Sequence, residues 1–283
     1  MGKAAAEPEG LYLYCFTRPG VVHDLGIVGI DDRRRVTALE VGRAAAVVSP
    51  VAVHEFAGPD AESRVGDPQW VVPRACKHER VVEQVMGVAP VLPVRFGTVF
   101  SSREALREFL AARGDAVSAI LDRLSGKQEW AVKGFADVGR VRRWLTSSDP
   151  VLAEQHRRQP QSPGTRYFHE RRLETLMAEA VRFWRRATAE DIRRRLAAHE
   201  VDSCPLALQA PSATGRDAEM VFHAAHLLAA NEVESFRQQV EATSAAYGEQ
   251  GLALELSGPW PPYNFCPPMR RGQDEALGVL RTA

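Results

Sequence analysis

The sequence lacks any apolar stretch long enough to cross a bilayer. Its longest smooth apolar run covers residues 44–53 and is interrupted by Ser49-Pro50, whereas a membrane-spanning helix needs about 20 apolar residues. The first residues break into acid and proline at once and contain no apolar core of signal-peptide length. We therefore expect no membrane interaction and no export.

Neither sign of charge is in excess. Lysine and arginine number 36 and aspartate and glutamate number 36, so the formal net charge of the 283 residues is zero. Nucleic-acid binding generally requires an excess of positive charge that displaces counterions from phosphates. We expect no nucleic-acid partner, and the arginine runs at 33–35, 185–186 and 193–195 are interpreted as solvated faces paired with neighbouring acids.

Cysteine is scarce, and its four positions, Cys15, Cys76, Cys204 and Cys266, are far apart in the sequence. There is neither a C-x-x-C pair nor the dense cysteine pattern of a small secreted domain. This distribution favours reduced thiols in a cytosolic protein.

Local catalytic motifs are missing as well. We find no G-x-S-x-G, no Walker loop and no G-x-G-x-x-G after a strand, which excludes the hydrolase, nucleotide-triphosphate and dinucleotide classes that such motifs reveal. His223 and His226 have the side chains of zinc ligands, but residues three apart on a strand point to opposite faces. The sequence predicts no catalytic residue, no cofactor site and no metal site.

The first part of the chain predicts a mixed α/β domain over residues 1–126. The predicted strands are 11–16, 21–30, 36–41, 44–49 and 91–96, and the predicted helices lie near 71–87 and 101–126. His78 falls on the inward face of the first helix, where we expect a packed histidine whose ring meets a backbone group or a carboxylate. Glu79 is expected to cap that helix or to pair with Arg80 or Arg95.

The second part predicts a β-α-β-β-α-β order over residues 127–265. The predicted strands are 129–135, 204–210, 219–228 and 252–256, and the predicted helical regions are 137–199 and 231–247. This order is that of a split βαβ, or ferredoxin-like, domain with an enlarged first crossover. Residues 266–283 are expected to form a C-terminal tail. The predicted fold class is α+β with two domains.

Arg95 stands in the apolar centre of the segment Val91–Phe100, directly before Phe96 and Gly97. A buried guanidinium is costly unless a carboxylate or carbonyl group pairs with it. One interpretation is a buried ion pair that locks this strand against the helix of His78 and Glu79. The other is that the arginine faces a binding partner.

Residues 258–265, Gly-Pro-Trp-Pro-Pro-Tyr-Asn-Phe, form a proline-rich segment that follows a strand-like alternation. Proline removes a backbone donor and fixes φ near about −65°, so we expect ladder pairing to stop near Gly258. The segment either packs within the protein or presents aromatic side chains to a partner. The candidate partner-binding residues are Trp260, Pro261, Pro262, Tyr263 and Phe265, together with Arg95 and Phe96.

Six strings in order along the chain resemble the gas vesicle GvpL/GvpF family. They are Leu11–Tyr14, Cys76–Glu79, Val91–Phe100, Glu129–Lys133, Pro163–Phe168 and the proline-rich segment. Single short motifs carry a real false-positive risk, but several in order across residues 11–265 are hard to obtain by chance. One departure from the family pattern is Cys15-Phe16-Thr17 after the first strand, where members tend to have smaller residues.

The resemblance implies a non-enzymatic accessory protein and minor vesicle component that assists gas vesicle assembly. Its implied partners are the major gas vesicle shell protein and other accessory proteins, and its implied location is the gas vesicle and the cytoplasm. The oligomeric state is left open. An open edge of the C-terminal sheet and the proline-rich segment are the expected binding places.

Two alternatives remain at this point. The first is a small-molecule enzyme or sensor on the ferredoxin-like fold, which hosts many functions; it requires a closed polar pocket that contains His78, Glu79 and Arg95 together. The second is a plain structural subunit of the shell, which requires a fixed stoichiometry in purified vesicles.

Overall fold

The structure is a computed structural model that describes residues 9–22, 25–56, 61, 63–64, 66–158, 162–267 and 279–281. The strands are Glu9–Thr17 (β1), Thr37–Val41 (β2), Ala44–Ala52 (β3), Leu92–Pro93 (β4), Thr98–Phe100 (β5), Lys127–Ala136 (β6), Asp202–Pro205 (β7), Glu219–Ala229 (β8), Leu252–Trp260 (β9) and Val279–Arg281 (β10). The helices are Pro68–Met86 (α1), Arg103–Leu124 (α2), Val138–Ser148 (α3), Pro150–Arg157 (α4), Pro163–Leu196 (α5), Pro211–Thr214 (α6) and Val233–Tyr247 (α7).

The chain divides into two compact units, residues 1–128 with 261–283, and residues 129–260. The expected division was 1–126, 127–265 and a tail from 266. The difference lies at the C-terminal end, where Tyr263 and Phe265 make hydrogen bonds within the first unit and β10 pairs with β5. Residues 268–278 and 282–283 of the expected tail lie outside the described residues.

The first unit is built on a sheet with the strand order β10-β5-β1-β3-β2, in which β4 also pairs with β1. The central strand β1 is apolar from Leu11 to Phe16 and buried on both faces there, whereas its first residue, Glu9, is exposed. Leu106, Phe109 and Leu110 of α2 pack in the core on one face, and Val81 and Val82 of α1 pack in the core on the other. A strand covered on both faces explains why β1 is continuously hydrophobic rather than alternating.

An irregularity in β1 changes which side chains face which core. Leu11 and Leu13 belong to one core and Tyr12 and Tyr14 to the other, as period-two alternation requires. The register then shifts between Leu13 and Cys15, so Cys15 joins the same core as the two tyrosines. A β-bulge of this kind places an extra residue in one strand. The unusual Cys15-Phe16-Thr17 continuation is thus part of the strand, directly after the bulge.

The second unit has the strand order β7-β8-β6-β9. Together with the helices, the chain order is β6, α3 to α5, β7, the short α6, β8, α7 and β9, which confirms the ferredoxin-like prediction and its enlarged first crossover. The core joins Trp130 of β6, Trp184 of α5, Phe222 of β8 and Phe236 of α7. Among the described residues, no helix is long and apolar enough to span a membrane.

Several predicted strands differ from the observed ones. Residues 21–30 form no strand in their described part, where only a single bridge joins Val28 to Arg35. The predicted central strand 91–96 is reduced to β4, because the chain bends around Gly97, whose φ of 81° favours glycine. The strand predicted at 204–210 is β7, which ends at Pro205. In contrast, β9 extends through Gly258 to Trp260, so the expectation that pairing stops at Gly258 is wrong.

Candidate functional site

The proline-rich segment divides into an accessible first part and a largely buried second part. Pro259 and Trp260 are exposed at the end of β9, whereas Pro261, Pro262 and Phe265 are buried. The second part turns sharply, because the Tyr263 N–H donates to the Pro261 carbonyl at 2.7 Å and the Phe265 N–H to the Pro262 carbonyl at 3.2 Å. Proline has no backbone N–H to donate, and in this turn the proline carbonyl groups accept the hydrogen bonds.

Tyr263 attaches the second part to helix α1 of the same unit. Its hydroxyl donates to Oε1 of Glu79 at 2.7 Å and lies 3.2 Å from Nε2 of His78. The guanidinium of Arg123 in α2 donates to the Phe265 carbonyl two residues later. The predicted pairing of Glu79 with Arg80 or Arg95 is therefore replaced by a pairing with a tyrosine hydroxyl.

His78 is buried at the centre of this hydrogen-bond network. Its Nδ1 lies 2.9 Å from the Tyr12 hydroxyl, and its Nε2 lies 3.1 Å from the Val94 carbonyl. Since a carbonyl only accepts, we assign the ring proton to Nε2 and make Nδ1 the acceptor of the Tyr12 proton. The Tyr12 hydroxyl accepts in turn from the Gly97 N–H at 3.0 Å. The expectation of a packed histidine that meets a backbone group is confirmed.

Burial controls the protonation of the network. It lowers the pKa of His78 to about 4, against a weaker raising effect of the Val94 carbonyl, so the imidazole is neutral near pH 7. Burial raises the pKa of Tyr263, and the adjacent Glu79 carboxylate raises it further. Burial also raises the pKa of Glu79, while the hydrogen bond from Tyr263 lowers it. The tyrosine therefore stays a hydroxyl donor, and the network holds its protons in fixed places.

Arg95 lies outside this network. Its side chain is exposed, and none of the described residues forms an ion pair with it; only its carbonyl is engaged, accepting from the Thr98 hydroxyl at 2.7 Å. The interpretation of Arg95 as a buried ion pair is therefore wrong. Nor do His78, Glu79 and Arg95 line one closed pocket, because the guanidinium is in solvent.

Phe96 is half-buried between the network and the surface. Its ring lies 6.1 Å from the His78 ring and 6.4 Å from the Trp70 ring, centroid to centroid, with edge-to-face geometry in both cases. This is the favoured arrangement of aromatic pairs. Phe96 thus fixes the chain beside Arg95 and leaves part of its own ring accessible.

Trp260 is the exposed aromatic residue of the proline-rich segment, with 45% of its surface accessible. It pairs with Glu129 at the end of the β6 and β9 ladder, and its Nε1 donates to the Ser257 hydroxyl at 3.3 Å. Gly258 precedes it with a φ of 141°, and a Cβ there would lie 3.0 Å from the ring of Trp130. Glycine is required at 258 for both reasons, and it sets the path that leaves Trp260 exposed.

The strand β9 is an edge strand of its sheet. The Leu254 N–H turns away from β6 and donates to the Ser244 hydroxyl of α7 at 2.9 Å. Since backbone groups alternate in an antiparallel ladder, Leu256 also directs its N–H and carbonyl away from β6. Within the described ranges no strand pairs with this side of β9. The open edge beside Trp260 has the backbone groups that an added strand would use.

The two histidines considered as zinc ligands have different hydrogen-bond partners. His226 is buried and contacts the Glu200 carboxylate, while the His223 ring donates to the Ala207 carbonyl at 2.9 Å. Across the residues that the structure describes, no group of three or more His, Cys, Asp or Glu side chains is arranged to hold a metal ion.

Sequence reasoning missed Tyr12 and Tyr14. Both hydroxyls are buried, and the Tyr14 hydroxyl accepts from the Ile30 N–H at 2.8 Å and lies 2.8 Å from the Ser49 hydroxyl. The signal was present, since two tyrosines two residues apart in an apolar strand point to one face and each buried hydroxyl needs a partner.

Comparison with known proteins places these features in one family. The family model described as "Gas vesicle synthesis protein GvpL/GvpF" matches residues 10–267. Gas vesicle protein L of Streptomyces sp. (strain CB03234) is 30% identical over 90% of this chain and 91% of its own length. Gas vesicle protein L2 of Halobacterium salinarum is 28% identical over 92% of both chains.

Solved structures show the same fold. The crystal structure of gas vesicle protein GvpF from Anabaena sp. PCC7120 matches 93% of this chain and all of its own, with a TM-score of 0.71 and 19% identity. That of GvpF from Microcystis aeruginosa matches 90% of this chain and 98% of its own, with a TM-score of 0.62 and 21% identity.

Proposed function

The chain belongs to the GvpL/GvpF family of gas vesicle proteins, and from this membership we propose that it is an accessory protein of gas vesicle assembly. Its partners are the major shell protein and other accessory proteins, and it works at the growing vesicle in the cytoplasm as a minor, non-catalytic component. The family match across residues 10–267 is the observation that carries the proposal.

The physical task explains why such a protein is needed. A shell that encloses gas must present apolar surface, and its subunits would aggregate if their apolar faces or strand edges stayed uncovered before assembly. An accessory protein suited to this task combines a well-packed body with accessible aromatic and strand-edge groups. In this chain, Trp260 and the open side of β9 provide such groups next to each other.

Exposure sorts the candidate residues into two roles. Trp260, Arg95 and the accessible part of Phe96 are proposed to contact partners, because aromatic side chains and arginine are enriched in binding hot spots. Pro261, Pro262, Tyr263 and Phe265 are proposed to fix the path of the chain after β9, since the prolines and Phe265 are buried and the Tyr263 hydroxyl is bound. Proline restriction of this path lowers the entropy lost on binding.

The non-catalytic role is supported by the state of the His78 network. His78 is held neutral by burial, and its two nitrogens are engaged by Tyr12, Val94 and Tyr263. A general acid or base needs reach to a substrate proton and a pKa near the working pH. His78 has neither, because its pKa is about 4 and its side chain is buried.

The test is a binding titration of the purified chain against the solubilised major shell protein. We expect saturable binding, weakened by more than about 1 kcal/mol in Trp260→Ala, as for a hot-spot residue. Tyr167→Ala is the matched control, since Tyr167 is an exposed aromatic residue of α5. A folded chain that does not bind would contradict the proposal, and fixed stoichiometry in purified vesicles would favour a structural subunit.

A further inference from the structure

Helix α5 is longer than the core it packs against. Its 34 residues carry a buried row that includes Met177, Val181 and Trp184. Toward the N-terminus, the positions on the same side of the helix are Glu170 and Arg166. Both of these residues are exposed. The first turns of α5 therefore extend beyond the core and are accessible on more than one side.

The two most exposed large apolar side chains among the described residues lie on this helix. Phe183 is 75% and Phe168 is 73% accessible. They are fifteen residues apart, which is about 22 Å along a helix at about 1.5 Å per residue. At about 100° per residue the two rings point within about 60° of each other, so they lie on one face.

The residues between the two rings continue this face. From Phe168, steps of four, three, four and four residues lead to Arg172, Thr175, Glu179 and Phe183. All of these side chains are exposed. We call residues 168, 172, 175, 179 and 183 the 168–183 stripe. Its ends are aromatic, and its interior carries one positive and one negative charge.

The 168–183 stripe is complementary to a second copy of itself that runs in the antiparallel direction. When a second helix runs antiparallel across a two-fold axis between positions 175 and 176, Phe168 of one copy meets Phe183 of the other and Arg172 meets Glu179. Every such contact then occurs twice, as in an isologous interface. We propose that a second copy of this chain docks on this stripe, with the two α5 helices antiparallel.

The charges of the 168–183 stripe favour a second copy of this chain over another partner. Arg172 has no ion pair with any described residue, and Glu179 has only Arg182 at 4.0 Å between Nη2 and Oε1, with both side chains exposed. These two side chains are thus available to each other across the axis. A contact along about 22 Å of helix buries less area than a standard protein interface. We therefore expect a weak dimer whose fraction rises with protein concentration.

Charge reversal of the full-length chain tests this geometry by sedimentation velocity over a concentration series. We expect the wild type to self-associate, and Arg172→Glu and Glu179→Arg each to weaken association at least about tenfold, since like charges then face each other. An equimolar mixture of the two variants should associate again, because each Glu then meets an Arg in the heterodimer. The double variant should behave as the wild type.

The controls are Arg166→Glu and Glu170→Arg, which make the same charge changes on the opposite side of the same helix. They should leave association unchanged, and circular dichroism with thermal melting checks that every variant is folded. A wild type that stays monomeric at all concentrations would overturn the proposal. So would a dimer that ignores both reversals, or singly reversed variants that fail to associate when mixed.

Discussion

The two parts of the proline-rich segment differ in burial although they adjoin in sequence. Residues 258–260 end an edge strand with Trp260 in solvent, and residues 261–265 pack with buried prolines, a buried Phe265 and a bound tyrosine hydroxyl. A continuous motif is thus divided between accessible and structural residues. We therefore expect substitutions in the buried part to change stability and substitutions in the accessible part to change binding.

The largest effect on the buried part is expected for Phe265→Ala. Removal of a buried phenylalanine leaves a cavity and costs about 3–5 kcal/mol of unfolding free energy. Urea unfolding followed by tryptophan fluorescence measures it, and Leu208→Ala is the control, because Leu208 is exposed. Equal stabilities of the two variants would mean that the second part of the segment is not packed as described.

The next largest effect is a pH dependence that originates at His78. The pKa of His78 is about 4 in the folded chain and about 6.5 when unfolded, so the unfolded state binds more protons between these values. Stability is then full above about pH 6.5 and falls by about 3 kcal/mol as the pH drops to about 4. The raised pKa of the neighbouring Glu79 acts in the opposite direction, since a carboxyl that keeps its proton in the folded state favours folding at low pH.

The measurement is chemical unfolding of the wild type and His78→Gln at several pH values. The variant should lack the histidine contribution, so the difference between the two stabilities should change across pH 4 to 6.5 and be flat above it. A difference that is independent of pH would show that His78 is not held neutral by burial.

A smaller effect is expected for Tyr263→Phe, which removes only the hydroxyl. The half-buried Glu79 carboxylate then loses its donor, and an unsatisfied polar group costs about 1–3 kcal/mol. Thermal unfolding compares this variant with Tyr167→Phe, since Tyr167 is an exposed tyrosine of α5. If both variants melt like the wild type, the hydrogen bond from Tyr263 to Glu79 contributes nothing to stability.

The sequence predicted the second unit better than the first. Strands β6, β8 and β9 and helix α7 follow ordinary periodicity, and their order is enough to indicate a ferredoxin-like arrangement. The first unit depends on features with no local pattern. The bulge near Tyr14 and the turn at Gly97 become visible only when the partner strands are in place.

The sequence identified candidate residues of the site, but it did not predict which side chains are buried or which groups they contact. The apolar neighbours of Arg95 suggested burial, yet the chain bends at Gly97 and the side chain is exposed. Glu79 was expected to meet an arginine but meets Tyr263, which is 184 residues later in the chain. Pairings across such separations are set by the fold and have no signal in local spacing.

The division of the proline-rich segment is tested by measuring binding and stability together in Trp260→Ala and Tyr263→Phe. We predict that Trp260→Ala unfolds like the wild type but binds the solubilised shell protein more weakly by more than about 1 kcal/mol. Tyr263→Phe should lose stability and, while folded, bind like the wild type. The opposite pattern, with Trp260→Ala unfolding early and binding normally, would contradict the division of the proline-rich segment into an accessible binding part and a buried structural part.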